Sequence, residues 1–125
     1  MTENNCRVLV VDDNRINRLK LIRALDKENY DISEASGGQE ALEMLRSQVF
    51  HLVLLDILMP DVDGFQVLEQ MQSDQQLKEI PVIMVSAVED QEDVDRCLAM
   101  GAVDYICKPF DEQVLKDRIR TNLQK

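Results

Sequence analysis

Residues 51–56 read H-L-V-L-L-D, four aliphatic side chains in a row closed by a single carboxylate, Asp56. A strand with one wet face alternates apolar and polar residues, so an unbroken aliphatic run describes a strand covered on both faces. Two more runs are almost continuously apolar: R-V-L-V-V at 7–11, followed by Asp12 and Asp13, and P-V-I-M-V at 81–85, followed by Ser86. Tyr30 to Glu34 alternates instead, as expected at a sheet edge, and Val103 to Cys107 completes a set of five strands.

Between the strands the spacing changes to that of helices. The apolar residues are Ile16, Leu19, Ile22 and Leu25, then Ala41, Leu42, Leu45 and Val49, then Phe65, Leu68 and Met71, then Val94, Cys97 and Leu98, and finally Val114, Leu115, Ile119 and Leu123. Ser36 followed by Gln39 predicts a capping box at the second helix, Asp111 a cap for the fifth, and Gly101 the end of the fourth. Five strand–helix alternations without a linker, repeat or low-complexity tract predict a single α/β domain over 1–125: a doubly wound parallel sheet with right-handed crossovers and helices on both faces.

A length of 125 residues is enough to enclose one core without staples. With 24 acidic against 14 basic residues the net charge is -10, a field that repels nucleic acid and anionic lipid, so no direct DNA or membrane binding is expected. Cys6, Cys97 and Cys107 are odd in number and form no CxxC pair, which disfavours a disulfide framework or zinc site and suits a reducing, cytoplasmic setting. Met1 to Asn5 are polar and no apolar stretch approaches the roughly 20 residues needed to span a bilayer, so no signal peptide or anchor is expected.

In doubly wound sheets the functional crevice lies beyond the carboxyl ends of the strands. There the first strand ends in Asp12 and Asp13, the third in Asp56, the fourth in Ser86, and the fifth in Lys108 followed by Pro109. Clustered carboxylates repel one another by about 4 kcal/mol per close pair at an effective dielectric near 20, so cations must hold them together. Lys108 and a metal ion are the candidates. Oxygen-only ligation without His or Cys selects a hard ion, magnesium, with manganese as a substitute. With the acids neutralised, one carboxylate can attack phosphorus while Lys108 and the Ser86 hydroxyl bind the remaining phosphoryl oxygens. Asp56, alone on the third strand opposite the acid pair, is the best nucleophile.

These residues resemble the receiver domains of two-component response regulators. The resemblance runs through V-L-V-V-D-D-N (8–14), L-L-D-I-L-M-P-D-V-D-G (54–64), V-S-A (85–87) and D-Y-I-C-K-P-F (104–110), and covers nearly the whole chain. It implies a flavodoxin-like sheet in strand order 2-1-3-4-5. It also implies magnesium held by Asp12, Asp13, Asp56 and the backbone carbonyl of Leu58, a phosphoacceptor at Asp56, and Lys108 on the phosphoryl group. The Lys108–Pro109 bond matches the family's cis peptide, which helps aim the lysine. Ser86 and Tyr105 correspond to the pair that couples phosphorylation to the surface of the fourth helix, fifth strand and fifth helix. The implied partners are a sensor histidine kinase or histidine phosphotransfer protein, and an output domain, a further partner or a second copy at that surface. Such a domain is a switch that promotes its own phosphoryl transfer and loss rather than a conventional enzyme. Leu58 and Val88 stand where the family tunes attack by water; neither can position a water, so a long-lived phosphoryl state is expected.

Rival readings fare worse. A haloacid-dehalogenase-type phosphatase needs an acid two residues after its nucleophile, where this chain has Leu58. A calcium loop framed on Asp61, Asp63 and Gly64 would put Met59 at its first ligand and Gln70 at its last; these residues instead suit a turn into the third helix. Gly37 and Gly38 lack dinucleotide-binding spacing and suit helix entry. His51 begins a strand, away from the acids. Cys107 is read as a buried, inert strand thiol rather than a redox centre. Two readings of another class remain: a pseudo-receiver that keeps the fold without the chemistry, and a regulatory piece of a larger hybrid kinase, transcription factor or nucleotide cyclase.

Overall fold

The computed structural model describes residues 6–123; Met1 to Asn5, Gln124 and Lys125, the ends of the expected 1–125 domain, lie outside the described residues. Five strands alternate with five helices: β1 Arg7–Val11, α1 Arg15–Ala24, β2 Asp31–Ala35, α2 Gly38–Ser47, β3 Leu52–Leu55, α3 Gly64–Gln72, β4 Val82–Ser86, α4 Gln91–Ala99, β5 Asp104–Cys107 and α5 Glu112–Leu123. Every pairing is parallel and the sheet order is β2-β1-β3-β4-β5, so the alternating β2 is an edge strand as expected.

The aliphatic runs split cleanly between two cores. Val8, Val10, Leu52, Leu54, Ile83 and Val85 point to the face covered by α1 and α5, where they meet Leu21, Leu25, Leu115 and Ile119. Leu9, Val11, Val53, Leu55, Val82 and Met84 point to the opposite face, under α2, α3 and α4, with Leu45, Leu68, Met71 and Cys97. Successive strand residues face opposite ways, so a two-sided sheet requires the continuous run that the sequence shows.

Several local expectations hold. Asp111 Oδ1 accepts from the backbone N–H groups of Gln113 and Val114 at the start of α5. Gly101 follows α4 at φ +111°, with its N–H on the Leu98 carbonyl and that of Ala102 on the Cys97 carbonyl, a Schellman closure that glycine adopts without strain.

Others are corrected. The capping box lies at α3, where Asp63 Oδ1 accepts from the Gln66 N–H and the Gln66 side chain accepts from the Asp63 N–H. The start of α2 is one residue later than Ser36 and Gln39 suggest: Gly37 is the cap, so the third helical position is Glu40, whose carboxylate accepts from the Ser36 N–H and hydroxyl. Val49 is outside α2 and exposed, because the chain has already turned extended at Gln48 and Phe50 takes the buried place before β3. On α1 the buried stripe is Leu21, Ala24 and Leu25, while Ile16 and Leu19 face solvent. Cys107 is exposed rather than buried, being the last residue of an edge strand; Cys97 is the buried thiol.

Candidate functional site

Because all five strands run the same way, their carboxyl ends share one rim, and the ladder extends just past them. The Asp12 N–H donates to Ala35 O, the Asp56 N–H to Val11 O and the Lys108 N–H to Ser86 O. Backbone pairing therefore places three of the predicted site residues before their side chains do anything.

Asp12, Asp56 and Ser86 are buried polar residues, Asp12 only 1% exposed and Asp56 6%. Asp13 is exposed at the mouth. One carboxylate oxygen from each of Asp12, Asp13 and Asp56 falls within a cluster spanning 4.8 Å. Lys108 Nζ bridges two of them, 2.5 Å from Asp12 Oδ2 and 3.2 Å from Asp56 Oδ2. Asp12 Oδ1 accepts from the Asn14 N–H at 2.9 Å, and Asp56 Oδ1 from the Leu58 N–H at 3.4 Å. Burial raises the Asp56 carboxyl above the ordinary carboxylate range, with Lys108 and the Ser86 hydroxyl pulling it down and Asp12 adding to the rise.

The donors fit a hard divalent cation. They are all oxygens, two of the three acids are nearly buried, and a single ammonium is shared between two carboxylates, leaving negative charge for a second cation to neutralise. The Lys108–Pro109 peptide is cis. Leu58 is 59% exposed beside the site.

Behind the acids, Ser86 and Tyr105 meet at one residue, Val88. The Val88 N–H donates to Ser86 Oγ at 3.4 Å, and the half-buried Tyr105 hydroxyl donates to the Val88 carbonyl. Burial pushes the Tyr105 phenol up to about 12, so it remains a donor at neutral pH. On the α1 and α5 side, a groove of about 640 Å³ runs from Lys108 past Asn17, Lys20, Arg23 and Phe110. His51 sits at the opposite end of the sheet, where its Nδ1 accepts from the Arg7 N–H. Missed by the sequence analysis was Arg18, whose guanidinium reaches the Asp12 carbonyl.

The fold and the site together define a doubly wound α/β class with an acidic crevice at the carboxyl ends of its strands, where a lysine spans two buried aspartates. The family model described as "Response regulator receiver domain" matches residues 8–120, and the chain belongs to that family. It is 37% identical over 121 residues to the "Probable cyclic di-GMP phosphodiesterase" of Vibrio cholerae, covering 97% of this chain and 27% of that protein. It is 36% identical over 117 residues to response regulator PleD of Caulobacter vibrioides, covering 94% of this chain and 26% of PleD. The chain thus spans about a quarter of the length of these two relatives. Among solved structures, the response regulator receiver protein from Pseudomonas putida superposes with a TM-score of 0.88 at 29% identity, covering 96% of this chain and 99% of that one.

Proposed function

We propose that this domain accepts a phosphoryl group on Asp56 from a phosphohistidine of a sensor kinase or histidine phosphotransfer protein. The observation that carries the reading is the near-complete burial of Asp56 beside Asp12, with Lys108 bridging the two. A purely structural buried acid would be matched by one cation; here two buried carboxylates share one, with Asp13 at the rim.

The residues that would hold magnesium are Asp12, Asp13 and Asp56, with the Leu58 carbonyl added by family likeness. Bound there, magnesium supplies positive charge to neutralise the acids and the transferring group. The chain's own residues do the rest. A carboxylate oxygen of Asp56 forms the new bond to phosphorus as the phosphorus–nitrogen bond of the donor breaks, the electron pair leaving with the imidazole. Lys108 exchanges its Asp12 contact for a phosphoryl oxygen, and the Ser86 hydroxyl donates to another.

Val88 links this chemistry to the surface. Its N–H rests on Ser86 and its carbonyl holds Tyr105, so drawing Ser86 towards a phosphoryl group moves the residue that anchors the β5 aromatic. The surface beyond carries Leu98 on α4, Val103 before β5 and Val114 on α5, all exposed, with an Arg118–Asp104 ion pair at 2.6 Å. An output domain, a partner or a second copy docks there. Leu58 and Val88 offer water no polar side chain, which favours a phosphoryl state lasting minutes or longer; a half-life of seconds would contradict this. Among the described residues no helix is long and apolar enough to cross a membrane, and we place the domain in the cytoplasm, where the phosphodonor's histidine is reached.

The test is incubation with magnesium and acetyl phosphate, followed by intact mass. One added phosphate, stable in mild acid, labile in base and absent from Asp56→Asn, supports the reading. If the wild-type chain gains none from acetyl phosphate or from a phosphorylated donor, the domain is an interaction module that kept the fold alone.

A further inference from the structure

The core-facing stripe of a helix is an unusual place for arginine, which is almost never buried without a partner. On α1 that stripe holds Leu21 and Leu25, and Arg18 lies one and two turns before them on the same face. The Arg18 side chain is only 13% exposed. Its Nη1 donates to the backbone carbonyl of Asp12 at 2.7 Å, and its Nε donates to Glu34 Oε1 on β2 at 2.8 Å. Asp12 is thereby held at every polar atom. Its N–H is on Ala35 O, its carbonyl on Arg18, Oδ1 on the Asn14 N–H and Oδ2 on Lys108.

Of these four partners, Lys108 is the one that must move when a cation and a phosphoryl group enter. The other three are fixed by backbone or by the Arg18 guanidinium. We propose that Arg18 is a positioning residue for Asp12: clamped on Glu34, it holds the Asp12 peptide so that the carboxylate keeps its aim when Lys108 lets go. The proposal rests on the reading of the crevice as a divalent-cation site. Arg18 touches neither the phosphoryl group nor a ligand oxygen, so it is not a catalytic residue. A guanidinium suits this task because its planar fork reaches two acceptors in a fixed geometry, which an ammonium on a flexible stem does not.

Charge and positioning predict opposite signs. If Arg18 acted through its charge alone, deleting a cation beside three carboxylates would strengthen their attraction for magnesium, and Arg18→Lys would change nothing. If it positions Asp12, both substitutions weaken binding, since losing a group that orients a ligand typically costs 10–100-fold in metal affinity.

The experiment is a magnesium titration of the full chain, followed by amide NMR shifts at Asp12, Asp13 and Asp56, for wild type, Arg18→Ala, Arg18→Lys and Glu34→Gln, with melting curves in EDTA. The expected result is affinity about tenfold or more weaker for both Arg18 variants, and a smaller loss in the same direction for Glu34→Gln. Should Arg18→Ala not fold, Arg18→Lys, which keeps the charge and loses the planar fork, carries the test. Arg18→Lys binding like wild type, Arg18→Ala binding more tightly, or a lowered melting point with unchanged affinity would each overturn the proposal. Absence of magnesium binding by the wild-type chain would instead overturn the reading of the crevice on which it stands.

Discussion

Replacing Lys108 with alanine removes the cation that Asp12 and Asp56 share. The side chains are 1% and 8% exposed for the two acids and 14% for the lysine, so water offers little compensation. Breaking a buried ion pair from one side typically costs about 3–5 kcal/mol, and the open mouth of the crevice argues for the lower end, about 3 kcal/mol. With a urea slope of about 2 kcal/mol per molar, the unfolding midpoint falls by about 1.5 M at neutral pH in EDTA. Magnesium, which binds the folded state, restores more stability to the variant than to the wild type, because no ammonium has to be displaced from Asp12 and Asp56. Acidification also recovers part of the loss, by neutralising Asp56, whose carboxyl is already raised by burial. The assay is urea unfolding followed by circular dichroism, with and without magnesium. A loss below about 1 kcal/mol would show that the acids are not held by Lys108; a loss unaffected by magnesium would refute the claim that lysine and metal serve the same carboxylates.

Three further outcomes are expected. Burial raises the Asp56 carboxyl, so the protonated form favours folding at low pH and that contribution is lost as pH rises through the raised folded-state value; Asp56→Asn is therefore more stable than wild type at neutral pH without magnesium, the difference closing on acidification, and unfolding curves showing the variant weaker at pH 7 would refute this. Gly101→Ala forces a side chain onto φ +111° and into the Gln72 amide, at a cost of about 1–2 kcal/mol in unfolding experiments. A chromogenic disulfide reagent labels exposed Cys107 in the folded protein, whereas Cys97, buried and with its thiol pushed up to about 11, reacts only on unfolding; equal rates would contradict the placement of either residue.

The strand pattern was legible because a strand covered on both faces has no polar position to spare. The aliphatic runs at 7–11, 52–55 and 82–85 therefore announced a two-sided parallel sheet, and the polar residues that stop them announced its functional rim. Helix phase was less legible. Ile16, Leu19, Leu21, Ile22, Ala24 and Leu25 offer more than one apolar stripe, and packing against the sheet buries Leu21, Ala24 and Leu25, with Arg18 on the same side reaching the Asp12 carbonyl. Caps behaved likewise: Ser36 and Gln39 have capping-box spacing, but the helix starts after Gly37, so Glu40 takes the third helical position and bonds back to Ser36.

By itself the sequence determined which residues gather at the rim, since parallel strands must end together and Asp12, Asp13, Asp56, Ser86 and Lys108 are strand ends. Tertiary structure decided how they are paired. That Lys108 bridges Asp12 and Asp56, that Val88 joins Ser86 to Tyr105, and that Arg18 and Glu34 clamp the Asp12 peptide depend on distances between elements far apart in the chain. Local spacing carries no information about such distances; packing of helices against the sheet does.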